Sequence, residues 1–171
     1  MLQKKLQNKE IILFLVVPYY LMMDTEQFIG KANANDLDEI HQLLQLVNLP
    51  IGGVKKHLDN FLVLKDNSTK VRGCIGLELY SEYALLRSAA VHPENQNQGI
   101  GKKLTEEIIT YAKNIGIKKL FLITNTAEEY FKKKGFTVVQ KNEIPASVKQ
   151  SVEFTFQCAK TGKTMMLEVK R

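Results

Sequence analysis

Two glycines stand within the polar loop Gln96-Asn97-Gln98-Gly99-Ile100-Gly101, which follows an apolar strand pattern and precedes a helical one. Glycine accepts backbone angles and close approaches that a side chain would block. Such a loop directs unpaired N–H groups at one point, at the positive end of the helix dipole, and that point suits a pyrophosphate. Lys102 and Lys103 follow directly and would meet outlying phosphates. The alternative is a turn that only leads into a helix.

The residues of this loop exclude two other phosphate-binding motifs. The loop lacks the Gly-Lys-Ser/Thr sequence of a P-loop. It also lacks the third glycine and the downstream acid of a dinucleotide-binding fold. If this loop binds a phosphorylated ligand, the site is neither a P-loop nor a dinucleotide-binding fold.

Hydrophobic spacing predicts the elements that position this loop. The strand before it ends at Ala89-Ala90-Val91-His92-Pro93, and the helix after it carries Leu104 and Ile108 on one face. Asp36 and Glu39 resemble a capping box at the start of an earlier helix. Strands are predicted at 28–29, 61–65, 71–80, 83–91, 120–123, 136–140 and 165–169, with helices at 37–47, 54–60, 101–115 and 126–134. This order implies an α/β fold with a mixed, mostly antiparallel, twisted sheet and helices on both faces.

The loop and its surroundings resemble the GNAT acetyltransferases. The run Gln96-x-x-Gly99-x-Gly101 matches the family's Q/R-x-x-G-x-G/A signature, in its usual order of strand, Val-His-Pro turn, loop and helix. A second family segment, in which Asn and Ala precede Gly-Phe, is similar to the stretch from Asn125 to Phe136. The similarity runs from about Val71 to Gln140.

This resemblance implies the GNAT fold and an N-acetyltransferase that uses acetyl-CoA as co-substrate. It also implies that backbone groups near Ala89 and Val91 bind the pantetheine arm and polarise the thioester carbonyl. Asn97 and Gln98 stand where the family often has Gly and Arg, so we expect the phosphate contacts to come from backbone amides. The cofactor-binding residues implied in this way are Ala89, Ala90, Val91, Gln96, Asn97, Gln98, Gly99, Ile100, Gly101, Lys102 and Asn125.

The catalytic acid and base do not follow directly from the family pattern. GNAT enzymes often have a tyrosine four residues before the glycine of Gly-Phe, but Phe131 stands there and Tyr130 comes one residue earlier. Many relatives carry a carboxylate near the position of Leu85. In this chain the leucine side chain cannot accept a proton. We take Tyr130 as the candidate acid and Glu78, acting through water, as the candidate base. The alternative for Tyr130 is a side chain that only packs or faces solvent. The alternative for Glu78 is a solvated carboxylate on a strand.

Arg87 stands in an otherwise apolar row of a predicted strand. Strand alternation places it on the same face as Leu85, Ala89 and Val91. An arginine in that environment needs an anionic partner. One alternative is a structural ion pair with a buried acid such as Glu78. The other is a fork for the carboxylate of a substrate, because the paired donors of arginine fit that planar group.

A narrower resemblance favours the substrate role of Arg87. The runs Leu85 to Val91 and Leu122 to Ala127, with Ile144-Pro145 and Glu153-Phe154, look like the acetyltransferase module of N-acetylglutamate synthases and, more closely, the arsenic-resistance-associated GNAT group. These groups are linked to amino-acid-like acceptors. We therefore expect acetyl transfer to the amine of a small, anionic, amino-acid-like acceptor. The alternatives are a protein N-terminus or another amine as acceptor, and a non-catalytic acyl-CoA-binding module.

Composition limits the class of protein. The 171 residues, 44% hydrophobic and 25% charged, suit one globular domain. The net charge of +6 comes from scattered Lys and Arg without the aromatic residues that stack bases, so we expect no nucleic-acid partner. Cys74 and Cys158 lie far apart and favour a reduced, cytoplasmic protein. His41, His57 and His92 share no metal-ligand spacing, so we expect no metal.

The segment 1–23 differs in composition from the rest of the chain. Lys4, Lys5 and Lys9 precede the apolar run Ile11 to Val17, and Met22-Met23 stand just before the predicted domain. The run is too short to span a bilayer unaided, and no small-x-small cleavage site comes after it. We expect an N-terminal extension over 1–23, either from a misassigned start or as a weak apolar anchor, and a single domain over 24–171. A packed extra element is the alternative, and a homodimer is left open.

Overall fold

Seven strands form one sheet in the part of the chain that the structure, a computed structural model, describes: residues 28–155 and 161–170. The strands are β1 Phe28–Lys31, β2 Phe61–Lys65, β3 Val71–Tyr80, β4 Tyr83–Val91, β5 Lys119–Thr124, β6 Thr137–Val138 and β7 Lys163–Glu168. The helices are α1 Leu37–Leu46, α2 Val54–His57, α3 Ile100–Asn114 and α4 Glu128–Lys133. The segment 1–23 and Cys158 lie outside the described residues.

The sheet is mixed, as the sequence predicts. Its order is β1-β2-β3-β4-β5-β7-β6, and the pair β4 and β5 is parallel whereas the other neighbours are antiparallel. A parallel pair needs a crossover connection, and α3 supplies it. The predicted bounds of β2, β3 and β4 are confirmed residue for residue. Across the described residues, no helix has the length and apolar character needed to cross a bilayer.

Helices cover both faces of this sheet, because each strand alternates its side chains between two apolar layers. On one face, Leu104 and Ile108 of α3 and Phe131 of α4 pack on Ala84 and Leu86 of β4 and on Leu120 and Leu122 of β5. On the other face, α1 packs on Phe61 and Val63 of β2. Farther along this second face, Leu85 and Phe121 are covered by Ile144 and Val148 of the segment after β6.

The helical segment around α1 starts earlier than the sequence predicts. The capping box expected at Asp36 and Glu39 is wrong: the box is formed by Asn33 and Asp36, at the start of the 3-10 turn Ala34–Asp36. The carboxylate of Asp36 accepts the N–H of Asn33 at 2.9 Å and pairs with Lys65 at 2.5 Å. Glu39 instead accepts the N–H of Val71 at 2.7 Å. Both acids therefore bind the sheet, and Asp36 also stabilises the local turn.

A bulge in β4 changes which side chains share a face. Cys74 of β3 pairs with Ala90, but Gly76, two residues on, pairs with Arg87, so β4 has one extra residue here. Ser88 lies at the bulge with a φ of 54°. The predicted alternation is therefore wrong beyond Ser88, because Ala90 packs on the α1 face and Val91 on the α3 face.

The segment after α4 contains less strand than predicted. The expected strand 136–140 is reduced to Thr137–Val138, since Phe136 is buried in the core and Gln140 caps the 3-10 turn Lys141–Glu143. Two further 3-10 turns, Val148–Gln150 and Val152–Thr155, follow it. This segment crosses the α1 face of the sheet without adding a strand to it.

We expect Gly76→Ala to lower the free energy of unfolding by about 1–3 kcal/mol, because a methyl group there would overlap the buried ring of Phe61. The matched control is Gly73→Ala on the same strand, where the added carbon meets the flexible end of Leu104 at 2.9 Å. Urea denaturation would compare the two variants. A larger loss for Gly73→Ala than for Gly76→Ala would contradict this account of the core.

Candidate active site

The two central parallel strands separate, and a cleft opens between them. β4 and β5 pair only from Tyr83 to Leu85, opposite Lys119 to Phe121. Beyond Leu85, β5 continues with β7 as its partner, whereas the bulge at Ser88 turns β4 away. Among the described residues, no strand pairs with the edge of β4 that faces the gap beyond Leu85, and this edge can therefore offer backbone groups to a ligand. We call the resulting space, of about 310 Å³, the larger cleft.

A smaller cleft of about 190 Å³ adjoins the larger one on the α3 face of the sheet. Ala89, Ala127 and Phe131 line both spaces, so they meet at the point where β4 leaves β5. Gly101 and Thr105 of α3 also line the smaller cleft. The two clefts thus connect the first turn of α3 to the gap between the strands.

The loop before α3 has the geometry of an anion site. Asn97 and Gly99 adopt left-handed backbone angles, with φ of 61° and 79°. A side chain at Gly99 would meet no atom within 4 Å, so this residue faces open space. Because α3 begins at Ile100, the N–H groups of its first turn have no partner within the helix. These groups and the positive end of the helix dipole suit a bound phosphate.

The side chains of the loop fix its shape. The side-chain amide of Gln96 donates to the carbonyl of Val91 at 3.2 Å, and that of Gln98 donates to the carbonyl of Glu94 at 3.2 Å. Both side-chain amides, and the backbone N–H of Gln96 that donates to Pro93 at 3.3 Å, thus hold the loop to the residues before it. The N–H groups at the start of α3 are the ones that can meet a ligand. Lys102 is exposed beside them, and Asn125 is exposed at the wall of the larger cleft.

Tyr130 lies in the smaller cleft. Its hydroxyl is 3.2 Å from the carbonyl of Gly101 and 3.0 Å from the hydroxyl of Thr105. Its ring packs edge to face on Phe131, with ring centroids 5.1 Å apart. Phe131, and not Tyr130, reaches the larger cleft. The structure thus ties the hydroxyl of Tyr130 to the first turns of α3, and its role as an acid stays a prediction.

Arg87 is buried in a ring of protein oxygens, with 1% of its side chain exposed. Its Nη1 donates to Glu78, which is the ion pair that the sequence allowed as one alternative. Its Nη2 lies 2.5 Å from a carboxylate oxygen of Glu153 and donates to the carbonyl of Gly52 at 2.7 Å. Its Nε donates to the hydroxyl of Ser88 at 3.2 Å. The guanidinium therefore joins the bulge in β4 to two segments outside the sheet.

Glu78 lies behind Arg87 and not on the wall of either cleft. The hydroxyl of Tyr80 donates to its carboxylate at 2.6 Å, and His57 lies 4.0 Å away. Burial by itself raises the pKa of Glu78, but hydrogen bonds from Tyr80, Ser151 and Arg87 outweigh burial and hold the pKa below its usual value. Such a carboxylate is a weak proton acceptor, and its role as a base stays a prediction.

Glu153 is the residue that the sequence did not single out as functional. It lies in the 3-10 turn Val152–Thr155, lines the larger cleft and pairs with Arg87. Burial raises the pKa of Glu153, and the attraction of Arg87 offsets only part of this rise. In the sequence analysis, Glu153 appeared only as part of Glu153-Phe154, one of the segments that resemble the N-acetylglutamate synthases and the arsenic-resistance-associated group. Nothing in local spacing connects it to Arg87, because the contact joins residues 66 positions apart.

Across residues 28–155 and 161–170, no group of three or more His, Cys, Asp or Glu side chains is arranged to hold a metal ion.

Burial raises the pKa of the Cys74 thiol to about 12, so this cysteine of the smaller cleft is a neutral, apolar neighbour of Ala90 at ordinary pH.

Known proteins resemble this chain in sequence. Residues 57–138 match the family described as acetyltransferase (GNAT) domain. The amino-acid acetyltransferase of Escherichia coli (strain K12) is 28% identical over 139 residues, a match that covers 76% of this chain and 31% of that protein. The chain therefore spans about a third of the length of the curated relatives that it matches.

Solved structures resemble it in fold. The N-acetylglutamate synthase from Neisseria gonorrhoeae, complexed with coenzyme A and N-acetyl-glutamate, superposes with a TM-score of 0.73 at 22% identity, over 86% of this chain and 36% of that one. Rv2747 from Mycobacterium tuberculosis, in complex with CoA, gives a TM-score of 0.69 at 23% identity, over 84% of this chain and 99% of that one. The GNAT fold predicted from the sequence is confirmed by these superpositions, and the match to the acetyltransferase (GNAT) domain covers residues 57–138.

Proposed function

We propose that this chain transfers an acetyl group from acetyl-CoA to the amine of a small, amino-acid-like acceptor. The observation that carries the proposal is the unbroken path from the first turn of α3, through the smaller cleft, to the gap between β4 and β5. A pyrophosphate at one end and a thioester at the other need a path of this kind.

The donor would lie on the α3 side. Its pyrophosphate would meet backbone N–H groups at the end of the loop from Gln96 to Gly101, where α3 begins. Its pantetheine arm would run past Ala90 and Val91 in the smaller cleft, along the backbone that the bulge turns away from β5. The two solved relatives that superpose on this chain contain CoA, and this supports the same donor here.

The acetyl group would lie where the two clefts meet, beside Ala89. When an amine attacks the thioester carbonyl, negative charge develops on the carbonyl oxygen. A backbone N–H held in place by the bulge would stabilise that charge, and one such preorganised donor typically contributes about 3 kcal/mol. The thiolate that leaves takes up a proton, and Tyr130 is the nearest predicted donor on that side.

The acceptor would enter through the larger cleft. Its wall includes Leu49 and Pro50 before α2, and Glu153 beyond β6. The relatives described as amino-acid acetyltransferases support an amino-acid-like acceptor. A direct role for Arg87 in binding an acceptor carboxylate requires that carboxylate to displace Glu153, since Nε and both Nη atoms already meet protein oxygens.

The phosphate site can be tested at Gly99. We expect Gly99→Asp to weaken acetyl-CoA binding about ten- to a hundredfold, because a carboxylate about 5 Å from a phosphate is unfavourable by up to about 3 kcal/mol. Gly99→Asn is the matched control: it has the same shape and also tolerates a left-handed backbone, but it adds no charge. Calorimetric titration with acetyl-CoA would measure both affinities.

The donor fragment acetyl-pantetheine sharpens this test, because it lacks the pyrophosphate. Its affinity should be the same for Gly99→Asp and Gly99→Asn. Equal affinities of the two variants for acetyl-CoA itself would refute the phosphate site at this loop.

The ion pair of Arg87 can be tested through stability. We expect Arg87→Leu to lower the free energy of unfolding by about 3–5 kcal/mol, because it leaves the buried carboxylate of Glu78 without its cation. Urea denaturation would measure the loss. In the double variant Arg87→Leu with Glu78→Leu, part of the stability should return, since an apolar pair replaces the more deeply buried of the two ion pairs of Arg87, whereas Glu153 still lacks its cation.

A different outcome would separate the two interpretations of Arg87. If Arg87→Leu left the free energy of unfolding unchanged and raised only the KM of the acceptor, Arg87 would be a substrate ligand. The structural interpretation would then be wrong.

A further inference from the structure

One carboxylate reaches the guanidinium of Arg87 from the cleft side. Glu153 lies 2.5 Å from Nη2 of Arg87, and 15% of its side chain is exposed, against 2% for Glu78. Glu153 lines the larger cleft together with Leu85 to Ala89 of β4, whereas Glu78 does not. Of the two acids on Arg87, Glu153 is therefore the one that a ligand in the larger cleft can touch.

The charges around Glu153 do not cancel. Arg87 of β4 brings one positive charge, and Glu78 of β3 and Glu153 bring two negative charges. The next groups are Tyr80 and His57, both beside Glu78, and burial lowers the pKa of His57, so that it is neutral at pH 7. Counted over residues 28–155 and 161–170, the cluster thus carries one net negative charge, and its exposed end faces the cleft. A cationic group of the acceptor is the complementary partner.

We propose that Glu153 receives the ammonium group of the acceptor in the larger cleft and removes its proton. This inference rests on the proposed acetyl transfer and assigns to Glu153 the base role that the sequence assigned to Glu78. Glu153 is positioned for it by Arg87 and by the hydroxyl of Ser151, which accepts the Glu153 N–H at 3.1 Å.

The proton balance of the step closes with the groups named. The acceptor arrives as R–NH3⁺, and one proton passes to the carboxylate of Glu153. The neutral amine attacks the thioester carbon, the C–S bond breaks, and the second proton of the nitrogen passes to the thiolate of CoA. Glu153 then releases its proton to water, so the products are the amide, CoA–SH and one H⁺.

The environment of Glu153 suits this exchange better than that of Glu78. The pKa of Glu153 is raised by burial, which brings it closer to neutral pH, where a general base works best. The pKa of Glu78 is lowered by its hydrogen bonds. Protonation of Glu153 also removes the net charge of the cluster, because Arg87 and Glu78 then remain as one neutral pair.

The test is the pH profile of kcat/KM for Glu153→Gln, followed by CoA thiol release in buffers free of amines. The acceptor would be an α-amino acid that the wild-type protein acetylates, whose amine has a pKa of about 8. We expect a loss of about 100-fold at pH 6, where nearly all acceptor is ammonium. The loss should shrink about tenfold per pH unit and vanish near pH 8, because a neutral amine needs no base.

Three variants serve as controls. Glu153→Asp keeps the carboxylate and should keep the wild-type shape of the profile at a lower kcat. Glu78→Gln should reduce stability but also keep that shape. Glu168→Gln, at the exposed end of β7, should match the wild type. Urea denaturation would establish that the Glu153→Gln variant is folded. Its affinity for acetyl-CoA would establish that it still binds the donor.

Other outcomes would overturn the inference. A loss in Glu153→Gln that is the same at every pH, or no loss, would show that Glu153 is not the base. A profile altered by Glu78→Gln alone would return the role to Glu78. If the wild-type protein binds acetyl-CoA but acetylates no amine at any pH, the proposed function itself fails, and the role of Glu153 fails with it.

Discussion

The separation of β4 from β5 is the constraint on which the rest of the structure depends. Three residue pairs hold the two strands together, and the bulge at Ser88 then turns β4 away. Buried backbone groups need partners, so a sheet that opens at its centre is stable only if something else occupies the gap. Here the first turn of α3 and the apolar residues of α4 close one side, and short turns close the other. The two clefts lie in the gap between them.

The buried ion cluster holds the second side of this gap in place. Desolvation of an arginine is costly, and a single carboxylate seldom offsets the cost. Arg87 has two carboxylates and the carbonyl of Gly52, which come from three separate segments. A methyl group added at Gly53 would approach Nη1 of Arg87 to 2.9 Å, so the chain before α2 also packs directly on the cluster. The cluster thus links the bulge to the turns that shape the larger cleft.

The parts that the sequence predicted are those encoded by neighbouring residues. The bounds of β2, β3 and β4 follow from local hydrophobic runs, and the anion loop follows from two glycines before an amphipathic helix. The missed features come from contacts between distant segments. The bulge reverses the alternation after Ser88. The capping box forms at Asn33, before the 3-10 turn that precedes α1, and Asp36 also pairs with Lys65 of β2. Glu153 reaches Arg87 from 66 positions farther along the chain. The resemblance to the arsenic-resistance-associated group stays a prediction.

This difference also explains why the donor is easier to infer than the acceptor. The donor side is built from one continuous stretch, β4, its loop and α3, whose geometry is fixed by the core of the sheet. The acceptor side combines the chain around Pro50 with the 3-10 turn Val152–Thr155, and neither adds a strand to the sheet. Because those turns carry few of the sheet's contacts, their residues can change with little effect on the fold. A change of charge at one side chain, such as Glu153, would therefore alter the proposed acceptor site and leave the proposed donor site unchanged.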